Sequence, residues 1–328
     1  MRRRELLGAI VGAATWPLAA WAQQPKIFRL GYLDPGVRSD PPVQNLRRQF
    51  LLGLRDLGAI EGRDFIMEDR NADGHLERLQ PLAADLANLP VDILVAAGGE
   101  ASIRAAMRAT NKIPIVMTIS ADPIGSGIIA SLARPGGNVT GMSALASEMA
   151  GKRIELLKEV LPDVLRVAVL WNSDNKSKIV EWKDTQAAAK TTGLTLISAE
   201  ARTAEQLEPA LGSILREHPD ALITLTEGLT LANREQIGHF ALSNRLPMIA
   251  EVREFTVAGG LASYGVSRSD LWRRAAGHVY KIMRGAKPSD LPVEQPLQFE
   301  MVINLRTAKA MGLEVPPSLL SRADEVFE

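Results

Sequence analysis

The chain has 328 residues, enough for two domains of ordinary size, and its 46% hydrophobic and 23% charged residues describe a globular protein with sizeable cores. Formal net charge is zero and aromatics are only 5%, so neither a basic surface nor a set of stacking rings points to nucleic acid as a partner. Cysteine is absent, which excludes disulfides, a lipid-modified cysteine and thiolate metal sites.

In chain order, the first 22 residues read as an export signal. Arg2, Arg3 and Arg4 precede an apolar run from Leu6 to Ala20, and Ala20-Trp21-Ala22 is a small-x-small cleavage site before Gln23. The run is short and rich in Gly and Ala, which argues against a membrane anchor. Arg3-Arg4 ahead of it fits a twin-arginine signal, and a Sec signal fits the same residues. Cleavage after Ala22 removes three Arg and one Glu, leaving the mature chain near −2. Its expected place is a bacterial periplasm.

Beyond Gln24, short aliphatic runs alternate with longer amphipathic ones. Residues 27–33, 64–69, 92–97, 113–119 and 138–142 read as strands, and 43–58, 75–89 and 100–111 carry the three-and-four spacing of helices. The alternation then restarts with a strand at 166–171, a helix at 178–193 and a strand at 194–199. "LPVDILVAAGG…KIPIVM" in the first half is matched by "HPDALITLTEG…RLPMIA" in the second. Apolar strands separated by helices imply parallel sheets covered on both faces. The expectation is therefore two doubly wound parallel-sheet lobes, with one large doubly wound sheet as the alternative.

"SLARPGGNVTG" (131–141) raises the question of a phosphate cradle. A cradle places its glycines after a strand and before a helix. Here the predicted order is reversed: a helix ending near Ala133, then Pro135, Gly136 and Gly137, then a strand from Asn138. The stretch reads as a turn. Gly125-Ser126-Gly127-Ile128-Ile129-Ala130 satisfies G-x-G-x-x-A, but five residues separate it from the preceding strand and Asp122 would repel a phosphate. G-x-S-x-G, H-E-x-x-H and a complete Walker A are missing, and the four His are scattered. Neither a catalytic constellation, nor a metal site, nor a cofactor is expected.

Ligands of such sheets sit beyond the carboxyl ends of the strands. The candidate loops are thus Asp34-Pro35-Gly36, Gly98-Gly99-Glu100, Ser120-Ala121-Asp122, Asn172-Ser173 and Thr226-Glu227-Gly228.

"SADPIGSGIIASLARPGGNVTGMS", "GGLASYGVS" and "FEMVINLRTAKAMGLEVPPSLLSRADEVFE" strongly resemble the ABC-transporter substrate-binding proteins of the group with tryptophan- and tyrosine-binding members. That resemblance implies a type I periplasmic binding fold, whose two lobes are joined by a three-strand hinge and close on a small-molecule ligand. It also implies a membrane permease and ATPase as partners, no catalytic activity, and a monomer. On this pattern the crossings fall near 142–147, 264–267 and 292–299. Residues 25–143 plus 265–291 then form one lobe, and 144–264 plus 292–328 the other. An exported dinucleotide enzyme and a receptor's ligand module are the alternatives.

Within those loops, backbone donors at Gly98-Gly99-Glu100 and the Ser102 hydroxyl could hold a carboxylate, completed by Ser120 and Ala121. A ligand ammonium needs an acid, for which Asp122, Glu227 and Glu251 are candidates; Asp122 could equally cap the next segment. Tyr32, Trp171 and Tyr264 sit at strand ends, either against a ligand or in a core.

Overall fold

A computed structural model describes residues 26–144 and 146–328; the expected export signal lies outside them. Alternation of apolar strands with amphipathic helices produces β1 (Phe28–Asp34), α1 (Pro41–Asp56), β2 (Phe65–Asn71), α2 (Leu79–Asn88), β3 (Ile93–Ala96), α3 (Glu100–Ala109), β4 (Ile115–Ser120) and β5 (Val139–Ser143). These strands form one sheet in the order β2-β1-β3-β4-β5, parallel throughout. Side chains alternate across it, as a pleat requires. Leu30, Tyr32, Ile93 and Val95 pack with Leu46, Phe50 and Leu54 of α1. Leu33, Leu94 and Ala96 face the other way, onto Leu79, Ala83 and Leu86 of α2 and Ile103 of α3.

The unit then repeats. α4 (Ala146–Val160), β6 (Arg166–Trp171), α5 (Lys176–Thr191), β7 (Thr195–Glu200), α6 (Ala204–Arg216), β8 (Ala221–Thr224), α7 (Gly228–Ala232), α8 (Arg234–Ser243), β9 (Met248–Ala250), α9 (Arg253–Val257) and β10 (Ala262–Val266) follow in sequence. α10 (Arg268–Met283) precedes β11 (Phe299–Asn304), α11 (Leu305–Met311), α12 (Pro317–Leu320) and β12 (Glu325–Phe327). The second sheet runs β7-β6-β8-β9-β10, the order of the first, and is extended by β11 and β12. One departure from the expected parallel sheet is β11, which runs antiparallel to β10.

The chain passes from the first sheet to the second after β5. It returns between β10 and α10, since Leu271, Trp272, Ala275 and Ala276 of α10 join the α1 core. Val293 still packs in the first lobe, and Glu294 bridges Met142 there, before the chain crosses again to β11. Among the described residues no helix is long and apolar enough to cross a membrane.

The helix expected up to Ala133 does not form; residues 121–138 are turns and bends. The Asp122 carboxylate accepts the N–H groups of Ile124 (3.1 Å) and Gly125 (2.8 Å). Ile128 and Ile129 both donate to the Pro123 carbonyl, and Gly127 takes φ +70°, which breaks the helical ladder after one turn. The G-x-G-x-x-A pattern therefore opens no helix and lacks the geometry that would hold a pyrophosphate.

Candidate functional site

Loops leaving β1, β3, β4 and β5 meet those leaving β8, β9 and β10 around a void of about 70 Å³, room for several waters. The first lobe contributes Pro35, Gly98 to Ala101, Ile119, Ala121 and Ala144. The second contributes Arg153, Ser177, Lys178, Glu227, Leu231 and Glu251, and the returning crossing adds Gly265, Val266 and Arg268.

On the first-lobe side, Gly98 (φ +77°) and Gly99 (φ +116°) turn β3 into α3. A Cβ at Gly98 would meet the Pro35 ring at 2.5 Å, whereas one at Gly99 would point into open space. Gly99 is the N-cap and has no side chain to cap the helix. The first N–H groups of α3, which no helical turn can satisfy, are thus left at the void wall with the positive end of the helix dipole. That arrangement suits a carboxylate. The Ser102 hydroxyl is turned away from the void: it is buried and donates to the carbonyls of Ala97 and Gly99 (2.9 Å to the latter), pinning the loop. Glu100 accepts from Arg104 Nε (2.5 Å) and from the Ser177 N–H (3.0 Å), the second bond reaching into the other lobe.

On the second-lobe side the floor is an ion network. Arg153 Nη2 meets Glu181 Oε1 at 2.5 Å; Lys178 Nζ meets Glu181 Oε2 at 2.6 Å and Glu251 Oε1 at 3.1 Å. Arg153, Lys178 and Glu181 are at most 2% exposed, so each buried charge there depends on its neighbours for compensation. Burial and the neighbouring Glu251 push the Glu181 carboxyl up to about 7. Burial would raise Glu251 as well, but Lys178 and Arg153 outweigh it and hold that carboxyl at about 2. For Lys178, burial pulls downward, and the two carboxylates more than compensate.

Glu227 differs from these acids. It caps α7, accepting the N–H groups of Leu229 (2.9 Å) and Thr230 (3.2 Å), while its own N–H donates to Thr230 Oγ1 (3.0 Å). Burial raises its carboxyl against the pull of those N–H groups and of Lys178. Among the described residues it forms no ion pair, unlike Glu100 and Glu251.

A second void of about 40 Å³ adjoins the first, sharing Pro35, Gly98, Gly228, Leu231 and Arg268. Its walls are mostly apolar, with Val43, Leu46 and Trp272, and its rim carries Asp34, Asp40, Arg234 and Glu254. Arg268 stands between the two, paired with Glu254 (2.7 Å) and 5.2 Å over the Trp272 ring.

Of the residues singled out from sequence, Gly98, Gly99, Glu100, Ala121, Glu227 and Glu251 come together around the first void. Asp34 reaches only the second, its carboxylate accepting the Gly36 N–H (2.8 Å). Pro35, Gly36, Thr226 and Gly228 of the candidate loops also line one or both voids, and the remaining candidates lie outside them. Tyr32 is buried against Phe50 and accepts from Trp272 Nε1 (3.1 Å). Ser120 is buried behind the wall, and its hydroxyl has no partner among the described residues. Asp122 caps its turn. Asn172 accepts the Asp174 N–H (3.0 Å), and Ser173 accepts from Arg202 (2.9 Å) on the surface. Trp171 stacks on Trp182 at 5.4 Å, and Tyr264 stacks on Phe299 at 6.4 Å.

Sequence reasoning missed Arg153, Lys178, Glu181, Arg268 and Trp272. A signal for two of them exists: the buried face of α5 is Ser177, Lys178, Glu181, Thr185 and Ala189. A helix whose inward stripe is polar must meet polar partners.

The sequence profile of ABC transporter substrate binding proteins matches residues 38–327. A tyrosine-binding protein of Clostridioides difficile (strain R20291) is 26% identical over 274 residues, covering 84% of this chain and 78% of that protein. A conserved domain protein from Vibrio cholerae O1 biovar El Tor superposes with a TM-score of 0.85 at 25% identity, covering 92% of this chain and 100% of that one. The ABC domain from Streptococcus pneumoniae in complex with L-Trp gives 0.84 at 23% identity, with 92% and 100% covered.

Proposed function

The chain belongs to the ABC transporter substrate binding protein family, and on that premise we propose that its cleft captures a free α-amino acid in the periplasm for delivery to a membrane permease and ATPase. One observation carries this reading. The uncapped N-terminus of α3 and the Glu227 carboxylate, which forms no direct ion pair among the described residues, line the same void. An α-amino acid carries a carboxylate and an ammonium on one carbon, so a single small molecule satisfies both. Its side chain then extends past Arg268 into the apolar second void, against Trp272 and Leu46. The tyrosine-binding relative supports the amino-acid class.

The protein works as a monomer whose lobes divide near residues 143, 264 and 291, and it binds without chemistry. Thermal-shift assays with L-tyrosine, L-tryptophan and L-leucine, each beside its deaminated acid and its decarboxylated amine, test the assignment. An amino acid at ~100 times Kd adds roughly 2.7 kcal/mol of stability; the acid and the amine, each lacking one charge, add far less. Equal stabilisation by the deaminated acids would remove Glu227 from the site.

A further inference from the structure

We propose that Asp40 and Arg234 are a latch across the mouth of the cleft, a pair of positioning residues that holds the two lobes together whatever ligand lies inside. Asp40 begins α1 in the first lobe and Arg234 begins α8 in the second. Arg234 Nη2 donates to Asp40 Oδ1 at 2.9 Å, with the side chains 16% and 11% exposed. Both residues line the second void, one from each lobe, so the pair spans it.

The sequence around Asp40 makes this contact inexpensive. An Asp at an N-cap ordinarily accepts the N–H of the second or third helical residue, yet Asp40 makes no side-chain cap bond. The first two helical positions are Pro41 and Pro42, which have no N–H to satisfy. Only Val43 is left as a cap donor, so α1 loses little when the carboxylate turns outward. The backbone holds Asp40 in place regardless: its N–H donates to the Val37 carbonyl (3.0 Å), and its own carbonyl accepts from Gln44 (3.0 Å).

Each partner also has somewhere to go when the lobes separate. Asp40 can fall back on the Val43 N–H. Arg234 already donates Nη1 to the Leu231 carbonyl (3.2 Å) and has Glu235 at 3.6 Å. Neither charge is stranded in the open state, so the contact can form and break reversibly. An element with two satisfied arrangements is what a closure needs. An ordinary surface ion pair would gain little; this one is shielded and joins two bodies whose separation it opposes.

The test uses the full chain and needs no ligand. Because the sequence has no cysteine, Gly74→Cys with Ala232→Cys introduces a single reactive pair. A Cβ at position 74 lies 3.9 Å from that of Ala232, within disulfide range. Position 74 has φ +83°, but that strain is common to every protein compared. The rate of disulfide formation at fixed oxidant, normalised to alkylation of each single-cysteine protein, reports how often the lobes close.

Adding Asp40→Asn, which removes the charge and keeps the size of the side chain, or Arg234→Gln slows trapping about five- to tenfold. Combining the two slows it no further, because one contact is lost only once. Raised salt slows the parent but not the double variant. Unchanged trapping in either single variant, multiplication of the two effects in the double, or no trapping in the parent would overturn the latch.

Discussion

Glu181 is buried completely, between Arg153 and Lys178, yet burial and Glu251 push its carboxyl from the usual 4.5 to about 7. Folding therefore favours its protonated form. The stability this group contributes is complete below its unfolded value and is lost as pH rises through about 7. Moving a carboxyl from 4.5 to about 7 corresponds to roughly 3 kcal/mol. Glu251 has the opposite sign: held at about 2 by Lys178 and Arg153 against its own burial, it destabilises the fold only as pH falls toward that value. Between pH 5 and 8 the two do not interfere. Urea unfolding followed by tryptophan fluorescence at pH 5, 6, 7 and 8 measures the slope. Replacing Glu181 by Gln should leave stability nearly unchanged at pH 5, where the native carboxyl is already neutral, and remove roughly 2–3 kcal/mol of the decline by pH 8. Parallel pH profiles for the two proteins would refute the reasoning and place the network's proton elsewhere.

Gly99→Val fills the void that a Cβ at this position faces and forces a branched residue to φ +116°. Binding of whichever amino acid stabilises the parent should vanish in calorimetric titration, at a cost of about 1–3 kcal/mol in stability that a chain of this size survives. Ser102→Ala should lower stability by about 0.5–1.5 kcal/mol and change affinity less than about threefold, because the hydroxyl bonds to its own loop and not into the cleft. A large loss of affinity with unchanged stability would mean the hydroxyl turns toward the ligand.

The duplicated lobe was legible because both halves repeat the same strand–loop–helix grammar. β1, β3 and β4 lie side by side in one sheet, as β6, β8 and β9 do in the other. The glycines of the β3–α3 loop were legible for a related reason: two glycines between an apolar strand and a helix leave backbone N–H groups uncovered. Residues 125–133 misled, since small and aliphatic residues there imitate a helix start. What decides them is the Asp122 carboxylate, which takes two consecutive N–H groups and closes a turn.

Aromatic positions failed for a reason built into strands. Sequence order places Tyr32, Trp171 and Tyr264 near strand ends, but a pleat points each residue to one face, and only the packing around it tells which. Tyr32 shares its face with Leu30, so it turns to α1 and α10; Trp171 turns to Trp182 on α5. The ring that does reach the cleft, Trp272, comes from a helix on the buried side of the first lobe, and reaches it only because α10 starts at the hinge beside Arg268. The charge of this site's wall is likewise set from behind it. Arg153 and Lys178 each have one carboxylate that never touches the void, Glu181, and that acid governs how much positive charge the floor presents. Protonating Glu181 takes one carboxylate's charge away from Lys178 and Arg153, so the floor becomes more positive as pH falls. On the function proposed above, the acid that receives the ligand's ammonium is therefore Glu227, capped by backbone N–H groups and outside that network's ion pairs.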